Sequence, residues 1–166
     1  MSHPFDILTL DNGSRLIFTP CPGTKGTSVA EAMQVLKDAG AQAMVTMMTA
    51  DELAERQAQS IPDWCDTLSI SWFHLPVSDS CAPELPFEQA FAMQQNALIT
   101  LLNNKTTIVI HCHGGSGRTG MMAAILMLAI GYKPGQVKSE IQRIRPNSLK
   151  SQVQVNYLIE RHGYLS

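Results

Sequence analysis

A chain of 166 residues is one domain's worth of sequence, long enough to bury a substantial core. Hydrophobic residues make up 45% and charged residues 16%, which excludes a disordered tail and leaves the surface reliant on uncharged polar groups. Lys and Arg total 12 against 14 Asp and Glu, a net charge of -2 that supplies no basic field for a nucleic-acid backbone or an anionic membrane. Neither is expected as a partner.

No basic segment leads into an apolar run at the N-terminus, so no signal peptide or mitochondrial presequence is legible and a cytoplasmic protein is expected. The longest apolar stretch, residues 121–130, falls well short of the roughly 20 residues a bilayer requires and reads as a buried helix. Cys21, Cys65, Cys81 and Cys112 form no C-x-x-C pair and no zinc spacing, so neither a disulfide framework nor a metal is expected. The sequons at Asn12 and Asn104 carry no weight without export. With no internal repeat or low-complexity block, residues 1–166 read as a single domain, expected to be monomeric.

In chain order, residues 5–10 and 15–19 alternate around Asp11-Asn12-Gly13 and predict a hairpin, an N-terminal extension over residues 1–20 closed by Pro20 and Pro22. Val29, Met33 and Leu36 predict a helix, with Ser28 as N-cap and Gly40 just past its end. Residues 43–48 predict a buried strand, and Thr49-Ala50-Asp51-Glu52 is a capping box opening a helix to about Gln57. The run 68–77, with Ile70, Trp72, Phe73 and Leu75, predicts a strand, followed by an irregular loop over 78–86. A long amphipathic helix is expected over 87–102 and an aliphatic strand, suited to a parallel sheet, over 107–110.

The segment from His111 to Gly120, His-Cys-His-Gly-Gly-Ser-Gly-Arg-Thr-Gly, lies between that strand and the apolar helix. A glycine-rich turn lets successive backbone N–H groups of His113, Gly114, Gly115, Ser116 and Gly117 point inward around an anion, and the following helix adds the positive end of its dipole. Cys112 stands at the base of this cradle, where those donors and Arg118 favour its nucleophilic thiolate form. Arg118 can hold two phosphate oxygens in a bidentate fork that Lys cannot reproduce.

His111-Cys112-x5-Arg118-Thr119 resembles the phosphate-binding loop of the cysteine-based protein tyrosine and dual-specificity phosphatases. Pro22-Gly23, the stretch from Leu36 to Gly40, Thr49 to Leu53, and His74-Leu75-Pro76-Val77-Ser78-Asp79 extend the similarity over roughly residues 20–160, toward the cyclin-dependent-kinase-associated phosphatase branch. The resemblance implies an α/β fold with a central mixed, mostly parallel sheet flanked by helices, protein tyrosine phosphatase-like and of the dual-specificity type. Residues 107–131 then supply strand, phosphate-binding loop and helix. It implies Asp79, 33 residues before Cys112, as general acid, Thr119 as hydroxyl donor to the sulfur, and His111 as a residue that orients the loop. No cofactor is implied. The implied partner is a phosphorylated protein, a kinase loop by analogy, and the short chain implies a shallow pocket open to phosphoserine and phosphothreonine as well as phosphotyrosine.

This sequence departs from the branch where the hydrolytic water is positioned: alignment on Asn156-Tyr157-Leu158 puts Gln154 on the family's second glutamine and Lys150 on its first, with Gln152 a shifted substitute. Gln154 is taken as the site residue. Plainer readings stand beside these. Asp79 also suits a turn with Ser78 and Ser80. Cys81 offers a protective disulfide with Cys112, although a plain loop cysteine is favoured. Asp51 and Glu52 are explained as helix-start residues, and the methionines at 44, 47, 48, 121, 122 and 127 as core filling. Gly115-x-Gly117-x-x-Gly120 formally matches the dinucleotide fingerprint, but Glu140, its acid, falls on a helix expected over 133–145 rather than at a strand end. The competing functions are a phosphoprotein-binding module with little turnover and an inositol-lipid or RNA 5'-phosphatase on the same loop.

Overall fold

The structure is a computed structural model that describes residues 2–165. Among these residues, five strands form one sheet in the order β1-β2-β5-β3-β4. They are β1 Asp6–Thr9, β2 Arg15–Thr19, β3 Ala43–Thr46, β4 Ser71–His74 and β5 Thr107–His111. The β1–β2 pair is antiparallel; β2–β5, β5–β3 and β3–β4 are all parallel. The sheet is therefore mixed and mostly parallel, as the resemblance implies. The hairpin is not appended to this sheet but built into it, because β2 lies directly beside β5.

Among the described residues, seven helices cover the two faces: α1 Val29–Asp38, α2 Ala50–Glu55, α3 Ile61–Thr67, α4 Leu85–Leu102, α5 Gly117–Ala129, α6 Pro134–Ile144 and α7 Gln152–His162. Strand alternation sorts the core. Ile17, Met44 and Val109 face α1, α2 and α3, whereas Phe18, Val45, Ile108 and Ile110 face α4 to α7. Every residue of α5 from Arg118 to Met127 is buried, so this helix runs through the interior and anchors the loop that precedes it. Truncating one of its large aliphatic side chains to Ala costs about 2–5 kcal/mol. The methionines at 44, 47, 48, 121, 122 and 127 are all fully buried.

Local chemistry explains the boundaries. Ser28 accepts from the Glu31 N–H to start α1, and Thr49 and Glu52 close a complete capping box at α2. The expected strand over 68–77 shrinks to β4. Leu68 to Ile70 instead close α3, with Ser69 in the left-handed region (φ 57°) and the Ile70 N–H bonded back to the Cys65 carbonyl. Beyond His74 the N–H groups of Leu75 and Val77 still reach the carbonyls of Thr46 and Met47, but Pro76 between them has none to give, and the ladder stops. α3 and α7 are helices the sequence pattern did not announce. Glu140 lies within α6 and pairs with Arg143, which removes the dinucleotide reading.

Candidate active site

The carboxyl ends of β2, β5 and β3 meet in one row, Thr19, His111 and Thr46, and the loop carrying Cys112 springs from its centre. His111 is fully buried, with Nε2 2.8 Å from Thr46 Oγ1 and Nδ1 3.2 Å from the Cys112 carbonyl oxygen. A carbonyl only accepts, so the ring proton is assigned to Nδ1 and Nε2 accepts from the Thr46 hydroxyl. Thr46 in turn accepts from Trp72 Nε1 at 2.8 Å. Burial pushes the His111 pKa down from 6.5 to about 4; its bond to the Cys112 carbonyl opposes the shift and the Arg118 charge adds to it. A neutral imidazole thus fixes the backbone at Cys112.

The Cys112 sulfur accepts from the Gly115 N–H at 3.2 Å and from Thr119 Oγ1 at 3.2 Å. The loop carbonyls are turned outward by partners behind it. His113 O accepts from the Cys21 N–H at 3.0 Å, Gly115 O from Arg145 Nε at 3.0 Å, and Ser116 O from Ser148 Oγ at 2.7 Å and the Gly120 N–H at 2.8 Å. Because each peptide is planar, a carbonyl facing out aims the next N–H in. Arg145 also reaches Asp6 and the Phe18 carbonyl, tying the loop to β1 and β2. Two glycines admit no side chain. A Cβ on Gly115 (φ 85°) would lie 2.7 Å from the Thr19 carbonyl carbon, and one on Gly120 2.5 Å from the Ser148 side chain.

Arg118 is buried, and Glu52 grips it with Nη1 to Oε1 at 2.7 Å and Nη2 to Oε2 at 3.0 Å, while Nη1 also donates to the Val77 carbonyl at 2.8 Å. Of the five guanidinium donors these bonds use both on Nη1 and one on Nη2. The remaining edge comprises the second N–H of Nη2, whose nitrogen lies 3.4 Å from Asp79 Oδ1, and a buried Nε–H with no partner among the described residues. That edge matches two oxygens of a phosphate. Burial alone would raise the Glu52 pKa, but the bonds from Arg118 and the Thr49 N–H outweigh it and hold the carboxyl below its usual value. The same environment raises the pKa of Arg118, Glu52 overcoming the opposing effect of burial.

A cavity of about 320 Å³ opens over the sulfur, lined among others by Asp79, His113, Gly114, Ser116, Gly117 and Gln154. Asp79 stands at its rim, its side chain 69% exposed. Gln154 is buried and donates to the Cys81 carbonyl at 3.3 Å, whereas Gln152 is exposed and turned to Asn156, and Lys150 lies outside the cavity. All four cysteines are free thiols. Among the described residues, no group of three or more His, Cys, Asp or Glu side chains is placed to hold a metal ion, and no helix is long and apolar enough to cross a membrane.

The residues that sequence reasoning left out are Glu52, Arg145 and Ser148. Glu52 carried a visible signal, but its cap role already explained it, and Arg145 and Ser148 act on backbone atoms that no motif records.

The architecture matches solved phosphatases. The kinase-associated phosphatase with its catalytic-site cysteine replaced by serine superposes with a TM-score of 0.83 at 25% identity, covering 96% of this chain and 94% of that one. The family model described as Swiss Army Knife protein, DSP-PTPase phosphatase domain, matches residues 23–160. The chain belongs to this phosphatase family. Among curated relatives, cyclin-dependent kinase inhibitor 3 of Sus scrofa is 30% identical over 146 residues, 84% of this chain and 68% of that protein. Its Homo sapiens counterpart is 28% identical over the same shares. The protein is accordingly a dual-specificity-type protein phosphatase, its loop at the carboxyl end of β5, where ligands bind in sheets of this kind.

Proposed function

We propose that the phosphatase hydrolyses phosphotyrosine and phosphoserine or phosphothreonine on protein substrates through a phosphocysteine intermediate. The Cys112 thiolate attacks phosphorus, the P–O ester bond breaks, and Asp79 gives its proton to the departing side-chain oxygen. Asp79, now a carboxylate, takes a proton from a water that Gln154 positions. That water attacks phosphorus, the S–P bond breaks, and orthophosphate leaves while the Thr119 hydroxyl stabilises the released sulfur. His113 to Gly117 and the free edge of Arg118 hold the phosphoryl oxygens throughout. His111 orients the loop.

The observation that carries this reading is the sulfur held at 3.2 Å by both the Gly115 N–H and the Thr119 hydroxyl, beside a guanidinium whose buried Nε–H has no partner among the described residues. p-Nitrophenyl phosphate hydrolysis by wild type, Cys112→Ser and Arg118→Lys tests it: wild type turns over, Cys112→Ser is inert, and Arg118→Lys loses a hundredfold or more. An inert wild type, or a Cys112→Ser variant that keeps its rate, overturns the mechanism. The relatives' printed names, a kinase inhibitor and a kinase-associated phosphatase, support a phosphorylated kinase as physiological substrate. Free cysteines and a thiolate nucleophile suit the reducing cytoplasm, where the protein acts as a monomer.

A further inference from the structure

Beside the catalytic cavity lies a second, larger groove of about 550 Å³ that the chemistry above does not use. Its walls are the loop and helix start at Ala82, Glu84, Leu85 and Glu88, and the face of α7 bearing Val153 and Glu160. Both walls continue those of the catalytic cavity, which borrows Asp79 and Ser80 from the same loop, Gln154 from the same helix and Ser151 from that helix's N-cap. Val153, Asn156, Tyr157 and Glu160 recur at helical spacing and so present one face to the groove. Leu85 and Val153 are exposed at 66% and 49%, an apolar pair with nothing packed on it. Three carboxylates, Glu84, Glu88 and Glu160, line the groove against one guanidinium, Arg161. Glu88 accepts from the Tyr157 hydroxyl, but Glu84 and Glu160 have no hydrogen-bond or ion-pair partner among the described residues.

We propose that this groove seats the stretch of the phosphoprotein that flanks the phosphoresidue, and that it selects a segment with one or more Lys or Arg and an apolar side chain beside them. The proposal rests on the phosphatase reading, since it makes the groove an extension of that site. Charge complementarity identifies the occupant: unpaired carboxylates around an exposed apolar pair fit a basic, partly apolar peptide and repel an acidic one. Length sets the position. Glu160 stands six residues beyond Gln154 on α7, about 9 Å along the axis at 1.5 Å per residue. An extended peptide covers that in about three residues, so the preferred basic residue lies two to four positions from the phosphoresidue.

The test compares phosphotyrosine peptides that differ only in carrying Lys or Glu at those positions, with p-nitrophenyl phosphate as the small-substrate control, for wild type and Glu84→Lys/Glu160→Lys. For wild type, kcat/KM is about tenfold higher for the Lys peptides at low salt, the scale of one to three exposed ion pairs. The preference shrinks in 0.5 M NaCl and inverts in the double variant, whose p-nitrophenyl phosphate turnover stays within twofold of wild type. Equal rates on Lys and Glu peptides, with the small substrate hydrolysed normally, overturn the groove assignment alone. An inert wild type on every substrate overturns the phosphatase mechanism instead. Concentration-dependent dimerisation by light scattering, lost in the double variant, would overturn the peptide assignment in favour of a second copy of the chain.

Discussion

Glu52 holds two jobs that a single substitution can separate. Its carboxylate closes the capping box of α2 and also grips Arg118 through two charge-assisted bonds of 2.7 and 3.0 Å. Glu52→Gln keeps an acceptor for the Thr49 N–H, since Gln serves a capping box as Glu does, so α2 stays capped. What it loses is the charged fork: one guanidinium N–H now donates to a neutral amide oxygen and the other faces an amide N–H that cannot accept. Hydrogen bonds to charged groups contribute about 1.5–3 kcal/mol and neutral ones about 1 kcal/mol. The expected destabilisation is therefore about 2–3 kcal/mol, or roughly 5–10 °C in Tm at about 2–4 °C per kcal/mol for a domain of this size. With its outer edge untethered, Arg118 no longer aims Nε and Nη2 at the phosphate, and kcat on p-nitrophenyl phosphate falls about tenfold or more at one constrained bond's worth of positioning. KM holds or drops, because the freed guanidinium is a stronger anion binder. The pH dependence has a definite sign. The Glu52 pKa is depressed in the fold, so its stabilisation is present above the ordinary carboxylate pKa and lost as pH falls through the folded value. Denaturation curves of wild type and Glu52→Gln should converge as pH falls below the ordinary carboxylate range. A Glu52→Gln enzyme with wild-type kcat and Tm would falsify the assignment of Glu52 as the residue that positions Arg118.

His111→Gln should flatten acid destabilisation: the unfolded chain protonates His near 6.5 while the fold resists to about 4, so wild type loses on the order of 3 kcal/mol as pH falls across that window. Urea titrations from pH 7.5 to 4.5 check this, and an unchanged slope in the variant refutes it; His3 and His162, also shifted down by burial, leave a residual slope of the same sign. Arg145→Lys keeps the charge facing Asp6 but cannot span three acceptors, so the Gly115 carbonyl is freed and the Ser116 N–H loses its aim. Orthophosphate inhibition should weaken and kcat drop about tenfold, at one misaligned donor in the cradle; unchanged inhibition by orthophosphate would clear Arg145 of the role. Thr119→Ala removes the 3.2 Å donor to sulfur and should slow phosphocysteine hydrolysis more than its formation, giving a stoichiometric burst of p-nitrophenol before a reduced steady state. A proportional loss in both phases contradicts that division.

How much of this was legible in the chain depended on the range of the interaction. The hairpin, α1, α2 and β5 follow from local spacing, caps and turn residues, and the structure places them where those signals point. The core of the site was legible for a related reason: Cys112, Arg118 and Thr119 sit within one loop and one helix turn, so their spacing already constrains their geometry. The strand expected over 68–77 is shorter in the fold because two local breaks, the left-handed Ser69 and the missing N–H of Pro76, outweigh its apolar β-branched and aromatic content. α7 was missed since only Gln154, Tyr157 and Leu158 of its residues are buried, leaving a weak apolar stripe. Glu52 reaches Arg118 across 66 positions and Arg145 reaches Gly115 across 30, contacts created by the sheet bringing β3 and β5 together and by α6 folding back over the loop. No pattern local to either residue encodes them.

A dianion held by a chain of net charge -2 poses an electrostatic question that the site answers at short range. The charge of Arg118 is already met by Glu52, so an arriving phosphate does not meet a bare cation. It meets one edge of the guanidinium, the inward N–H groups whose carbonyls Cys21, Arg145 and Ser148 hold out, and the first turn of α5. Arg118 is buried and the amides converge on one point, so these donors act strongly over a few ångströms and weakly beyond. Outside that radius the neighbouring groove carries Glu84 and Glu160, which oppose an anion on approach. The phosphate is thus recognised only once seated. What brings a phosphoprotein to the site must be something other than its phosphate, and basic residues flanking the phosphorylated side chain supply the opposite charge that the surrounding carboxylates attract.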